Sequence, residues 1–238
     1  QPGARQSHKT ATPTGGGLGI IFRILLTSLC LQLITSMPVF WWLNMVPGIV
    51  LLTVIGWLDD KKPVSSMIRL LVQLAVSLWL IGLSWSEYSF RDIWVLIGIL
   101  FAMVWMMNLY NFMDGSNGMA GFQGVFAGLV LAVLFQIDGE YTMALLGLLV
   151  ASACAGFLPL NFPLARVFMG DVASVPLGFI FAGLFIYGIR SGSLSLSICI
   201  LIMSVFIVDA TLTLLKRVLC GEQWYTAHAQ HVYQRLIA

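Results

Sequence analysis

The sequence predicts an all-α fold, a polytopic membrane helix bundle with about eight transmembrane helices, built as one membrane-embedded domain over residues 1–238. Three observations lead there. Of the 238 residues, 59% are apolar, against about 45–50% in soluble chains. Only 9% are Asp, Glu, Lys or Arg, where a soluble domain carries about 25%, too few to cover a water-facing surface. Apolar runs of 17–22 residues recur along the chain, each long enough to cross a bilayer as a tilted helix. These features exclude a soluble globular enzyme and a disordered chain. A net charge of +2 excludes a nucleic-acid binder.

The runs follow one another with short polar breaks. Gly15–Thr35 comes first, then Val39–Leu58, which ends at Asp59-Asp60-Lys61-Lys62. Met67–Ser84 and Trp94–Tyr110 follow, and a glycine-rich stretch separates the latter from Gly118–Ile137. Asp138-Gly139-Glu140 breaks the chain before Met143–Leu160. The polar stretch Asn161–Asp171 precedes Val172–Ile189, and Leu194–Leu215 is last. A transmembrane barrel would instead show alternating segments of about ten residues, and none occur. The first fourteen residues are polar, with Arg5, His8 and Lys9, and do not read as a secretory signal. Cys30, Cys154 and Cys199 lie inside apolar runs and Cys220 in a basic stretch, without any C-x-x-C spacing, so they read as packing residues.

Basic residues orient the spans. With both termini cytoplasmic, Arg5, Lys9, Lys61, Lys62, Arg69, Arg166, Lys216, Arg217 and Arg235 fall on the cytoplasmic side, and only Arg91 and Arg190 on the other. Nine against two satisfies the positive-inside rule, with Arg23 left within a span. The same topology gathers Asp59-Asp60, Asn111 to Gly118, Asn161 to Asp171 and His228 to His231 on the cytoplasmic face. Function is expected at that boundary.

Each cluster has a bland reading beside a chemical one. The Asp59-Asp60 pair is either solvated and balanced by Lys61 and Lys62, or it serves a divalent cation or proton transfer. Asn108 to Gly121 is either an ordinary turn or a glycine-broken segment whose Asn and Asp oxygens suit Mg2+. Asp171, between Gly170 and an apolar run, is a candidate helix N-cap, and the same helix start would favour a phosphate. Arg166 offers that phosphate a planar fork or is one more positive-inside charge. His228 and His231, at i and i+3, share a helix face in a basic setting that fits a diphosphate better than a metal. Asp209, inside the last span, is a functional acid or one paired within the bundle.

Taken in order, these motifs resemble the polyprenyl-phosphate N-acetylhexosamine-1-phosphate transferases, glycosyltransferase family 4, over essentially the whole chain. The stretch Ala227-His228-x-x-His231-x-Tyr233-Gln234-Arg235-Leu236 is most similar to the branch that starts O-antigen and related surface polysaccharides. The family's N-terminal cytoplasmic motif is matched in part by Arg5-Gln6-Ser7-His8 and Thr12-Pro13-Thr14-Gly15-Gly16-Gly17, with Thr14 where arginine is usual. Asp59-Asp60 matches its acidic pair, and Arg69 with Gln73 its downstream cation and glutamine. Asp114 matches the first Asp of Asp-Gly-x-Asp-Gly and Asn117 replaces the second, while Ala229 stands where the branch often has arginine.

The resemblance implies transfer of a sugar-1-phosphate from a UDP-N-acetylhexosamine to undecaprenyl phosphate, releasing UMP, at the cytoplasmic face of the bacterial inner membrane. It assigns catalytic roles to Asp59, Asp60 and Asp114, with the acidic pair deprotonating or positioning the lipid phosphate. Asn111 and Asp171 become ligands of Mg2+, with Mn2+ an acceptable substitute. Arg69, Arg166, His228 and His231 hold phosphates, and Asn117 faces uracil. A homodimer is a compatible assembly. The family has ten or eleven spans, so this chain reads as truncated at both ends. The rival class is a transporter with a polar substrate path, although no internal repeat is visible. A CDP-alcohol phosphotransferase would carry Asp-Gly-x-x-Ala-Arg, which is absent.

Overall fold

A computed structural model describes residues 13–35, 40–83 and 93–219. The described residues form helices joined by short turns, without a strand: α1 (Leu18–Gln32), α2 (Val46–Lys61), α3 (Ser66–Leu83), α4 (Ile93–Met113), α5 (Met119–Ile137), α6 (Tyr141–Asn161), α7 (Asp171–Ser191), α8 (Leu196–Ile202) and α9 (Ser204–Leu219). Each expected apolar run coincides with a helical segment. Phe40–Met45, in front of α2, is wound as a π-helical turn, and Phe40–Lys61 forms one candidate span. With α4, α5, α6 and α7 it makes five helices long and apolar enough to cross a membrane, and α1 and α3 are shorter apolar helices. The chain is a polytopic membrane helix bundle.

Two departures from the expected spans have local causes. The eighth run is not one helix, because Met203 interrupts it between α8 and α9. Gln123 of α5 donates its amide to the Ile202 carbonyl (2.8 Å) and to Met203 Sδ (3.4 Å). A buried side chain thus satisfies backbone at the break, as membrane interiors require. α1 starts three residues after Gly15, because the glycines before it bond elsewhere. Gly16 and Gly17 donate N–H groups to Phe168 and Met169 carbonyls, and Phe168 donates back to the Pro13 carbonyl (2.9–3.0 Å).

Small residues set the layout. α5 and α6 pack backbone to backbone: a Cβ on Gly128 would lie 2.7 Å from the Gly147 carbonyl oxygen, and one on Gly147 2.8 Å from that of Gly128. Close approach of this kind replaces the hydrophobic effect, which does not drive helices together inside lipid. α7 is the centre of the bundle, with 83% of its apolar window buried against 28% for α4. It is flanked by α2 and α4, which face its two sides. The polar residues of α2, α3 and α4 at one end of the bundle gather around the first turn of α7.

Candidate active site

Gly56 lies one turn before the acidic pair at the end of α2. A Cβ there would sit 2.3 Å from the Asp171 carbonyl oxygen and 2.7 Å from Val172 N, so glycine lets the start of α7 rest directly on α2. The contact brings Asp60 to the N-terminus of α7. Its Oδ1 accepts the Asp171 N–H (3.1 Å) and its Oδ2 the Val172 N–H (3.2 Å). Asp60 therefore caps a helix that begins 111 residues later, with its charge at the positive end of the helix dipole.

This corrects the reading of Asp171 as the cap of its own helix. The N-cap position is Gly170, at φ 77° and ψ 170°, and no side chain of the segment caps it. A Cβ on Gly170 would come within 2.5 Å of Asp60 Oδ2, so the cap arrives from another helix and the local residue must be small. Asp171 is the first helical residue, and its carboxylate turns toward α3 and α4.

There it is held on both oxygens. Asn111 Nδ2 donates to Oδ1 (2.7 Å) and Arg69 Nη1 to Oδ2 (3.0 Å). The same Arg69 nitrogen bridges to Asp59 Oδ2 (2.8 Å), and Asp59 Oδ1 accepts the Val64 N–H (2.6 Å). Asn111 also donates to Ser174 Oγ (2.9 Å), whose hydroxyl donates to the Gly170 carbonyl (3.0 Å). Asp114, just past the end of α4, accepts the Gly170 N–H on Oδ2 (3.1 Å). Its Oδ1 has no protein partner among the described residues. Burial holds the Asp114 carboxyl well above the usual carboxylate range; the Gly170 hydrogen bond pulls it down, and the charges of Asp171 and Asp60 add to the rise.

The structure thus joins Asp59, Asp60, Arg69, Asn111, Asp114 and Asp171, from α2, α3, α4 and α7, in one partly buried network at a helix end. The network holds four carboxyl groups and one guanidinium, which pairs with two of them. That imbalance and the oxygen-only donor set suit a hard divalent cation such as Mg2+, which needs one or two carboxylates and keeps several waters. Among the described residues no group of three or more Asp, Glu, His or Cys side chains forms a ready cage for a metal ion.

A second expectation is overturned. The start of α7 offers no free amide to a phosphate: Gly170 N–H goes to Asp114, Asp171 and Val172 to Asp60, and Ala173 and Ser174 to the Gly170 carbonyl. Carboxylates already occupy the positive end of the dipole. Arg166 is exposed and makes no ion pair with the network. Asn117 donates to the Pro163 carbonyl (2.9 Å), in the loop that carries Arg166. His228 and His231 lie outside the described residues.

The motifs read from the sequence include Gln73, Asn108 and Asn161 but give them no positioning role, and Ser174 is not singled out there. Asn161 accepts the Gly118 N–H (2.6 Å) and donates to the Val167 carbonyl (3.0 Å), tying the two polar loops together. Gln73 and Asn108 pair their amides (2.8 Å), joining α3 to α4 about one helical turn from Arg69 and Asn111, which both hold Asp171. Asn108 lies three residues before Asn111 and Ser174 three after Asp171, so helical spacing was a usable signal for both. Asp209 of α9 is buried and partnered.

A bundle of membrane helices that joins four carboxyl groups, one arginine and one asparagine at one of its ends defines a polytopic membrane protein with a polar, acid-rich site. A family signature described as glycosyl transferase family 4 matches residues 42–189, which include every described member of the network. The chain belongs to glycosyl transferase family 4. It is 28% identical to a probable undecaprenyl-phosphate N-acetylglucosaminyl 1-phosphate transferase of Bacillus subtilis (strain 168), over 100% of this chain and 69% of that protein. It is 26% identical to a decaprenyl-phosphate N-acetylglucosaminephosphotransferase of Mycobacterium leprae (strain TN), over 99% and 69%. A phospho-N-acetylmuramoyl-pentapeptide-transferase of Synechococcus sp. (strain JA-3-3Ab) is 33% identical over 79% of this chain and 59% of its own length.

Proposed function

We propose that this protein transfers N-acetylglucosamine-1-phosphate from UDP-N-acetylglucosamine to a polyprenyl phosphate, undecaprenyl phosphate in a bacterial inner membrane, and releases UMP. The observation that carries this reading is the Asp59–Arg69–Asp171–Asn111 chain of contacts at one end of the bundle. It is supported by membership of a family in which the Bacillus subtilis and Mycobacterium leprae relatives are named for polyprenyl phosphates. The site lies at helix ends, whereas a transporter would place it near the midplane. On the positive-inside count that end is cytoplasmic, where a nucleotide sugar is available.

A lipid phosphate oxygen attacks the β-phosphorus of the donor, the bond from that phosphorus to the bridging oxygen breaks, and the electron pair leaves with UMP. Asp171 and Asn111 would hold Mg2+, or Mn2+ in its place, which supplies charge neutralisation on the diphosphate. Asp60 is bound to the backbone of α7, so its part is to hold Asp171 in place. Asp59 faces Arg69, and this pair orients the attacking phosphate. The remaining N–H groups of Arg69 have no protein acceptor among the described residues and are free to take phosphate oxygens. Asn117 faces the uracil and Asp114 lines the reacting centre. Arg166, His228 and His231 contact the donor diphosphate. The product would be the first lipid-linked sugar of an O-antigen or related surface polysaccharide.

The test is UMP release by the purified chain in lipid. Release from UDP-N-acetylglucosamine that requires both Mg2+ and added polyprenyl phosphate is expected. UMP-free transport of the nucleotide sugar, or release indifferent to the lipid phosphate, overturns the reading.

A further inference from the structure

Arg23 is the one charged residue within α1, about 7.5 Å along the helix from Leu18 at 1.5 Å per residue. It is exposed and has no hydrogen-bond or ion-pair partner among the described residues. Its guanidinium lies on α6 over Gly156, where a Cβ would come within 2.7 Å of Nη1. An arginine inside a span without a protein counter-ion marks a functional site by default.

An apolar groove begins at that point. Along α1 it is lined by Thr27 and Leu31, four and eight residues on from Arg23, and along α6 by Ser152 and Leu148, four and eight before Gly156. α5 contributes Val125 and Leu129. The groove encloses about 430 Å³ and faces away from the bundle. From Ala155 to Leu145 it runs about 15 Å, half of a hydrocarbon core about 30 Å thick. The carboxylate network lies elsewhere, among α2, α3, α4 and α7.

From these features we infer a binding site for one anionic phospholipid of the leaflet nearest the carboxylate end, its phosphate on Arg23 and one acyl chain in the α1–α5–α6 groove. The length selects a one-leaflet chain over a longer isoprenoid. The charge selects an anion, because the ammonium of a zwitterionic headgroup would bring a second cation to an arginine that lacks a counter-ion. Guanidinium and phosphate pair through forked hydrogen bonds. The bound lipid fastens α1 to α6. The Gly16 and Gly17 bonds to Phe168 and Met169 then carry that support to the turn before Asp171.

The experiment is native mass spectrometry of the delipidated full chain titrated with phosphatidylglycerol, phosphatidylcholine or polyprenyl phosphate. Wild type is expected to retain one phosphatidylglycerol several-fold more strongly than phosphatidylcholine. Arg23→Gln should abolish that preference. Leu148→Trp, at a lipid-exposed position that keeps Arg23 and fills the groove, should weaken retention as much. Equal retention of both phospholipids overturns the proposal, as does an unchanged preference in both variants or displacement by equimolar polyprenyl phosphate. A Leu148→Trp effect confined to the monomer–dimer ratio also overturns it, since the groove would then be a contact between copies. The readout is lipid retention, so its failure leaves the transferase reading untouched.

Discussion

Both ends of this bundle carry acidic side chains near the start or end of α7, yet they are wired differently. At the far end Glu140 accepts the Tyr187 hydroxyl (2.9 Å), and Asp138 pairs with Ser193, which also meets Ser191 (2.8 Å). There each acid is satisfied by neutral hydroxyls next to a glycine turn, at Gly139 or Gly192. At the other end four acids converge from three helices on one arginine, one asparagine and the backbone of α7. Four acids stand at one end and two at the other, but the count alone does not set the ends apart. What does is that one set can relax into water, while the other is locked by backbone donors and one shared guanidinium.

The largest expected effect comes from breaking the shared member. Asp171→Asn removes a formal charge from the contact with Arg69 and should lower UMP release by about 100-fold or more, while the protein still inserts and folds. Turnover near wild type across a magnesium titration would show that the two ends are more alike than the wiring suggests. Next comes Gly56→Ala, which overpacks the α2–α7 contact. A destabilisation of about 1–3 kcal/mol in thermal unfolding, with roughly tenfold slower transfer, is the expected outcome. Asp60→Asn keeps one acceptor but turns an amide N–H toward a backbone donor of α7. It should cost about 1 kcal/mol and several-fold in rate, mainly in kcat. At the far end Glu140→Gln still accepts the Tyr187 hydroxyl, so activity should change less than about twofold and stability within about 0.5 kcal/mol. A larger loss there would join the far end to the mechanism.

The spans were legible in the sequence because hydropathy over about 20 residues is a local signal. The break at Met203 was not, since Leu194–Leu215 contains neither Pro nor Gly and the cause, Gln123, sits in another helix. The membership of Asp59, Asp60, Asn111, Asp114 and Asp171 in one site was read from the clustering of polar loops on one face. Their division of labour was not, because Asp60 acts on amides 111 and 112 residues away, and no local pattern reports on a cap supplied in trans. For the same reason the start of α7 looked open to phosphate when its amides were already taken. Gly56 could have been a clue. A glycine one turn before an acidic pair, inside an apolar run, has little use unless another backbone comes close.

The central place of α7 also sets a schedule. Its partner Asn111 is made 60 residues before Asp171, an interval of roughly 3–12 s at a translation rate of about 5–20 residues per second. During that interval α2 to α6 can enter the bilayer, and α5 and α6 can join as an immediate hairpin. The acidic pair of α2 then has only Arg69, Val64 and nearby water to face. Asp60 has no helix to cap until α7 inserts between α2 and α4. Assembly of the site is therefore a late event in biosynthesis, and a nascent chain released before α7 is threaded home holds all the earlier carboxylates with no centre to bind anything.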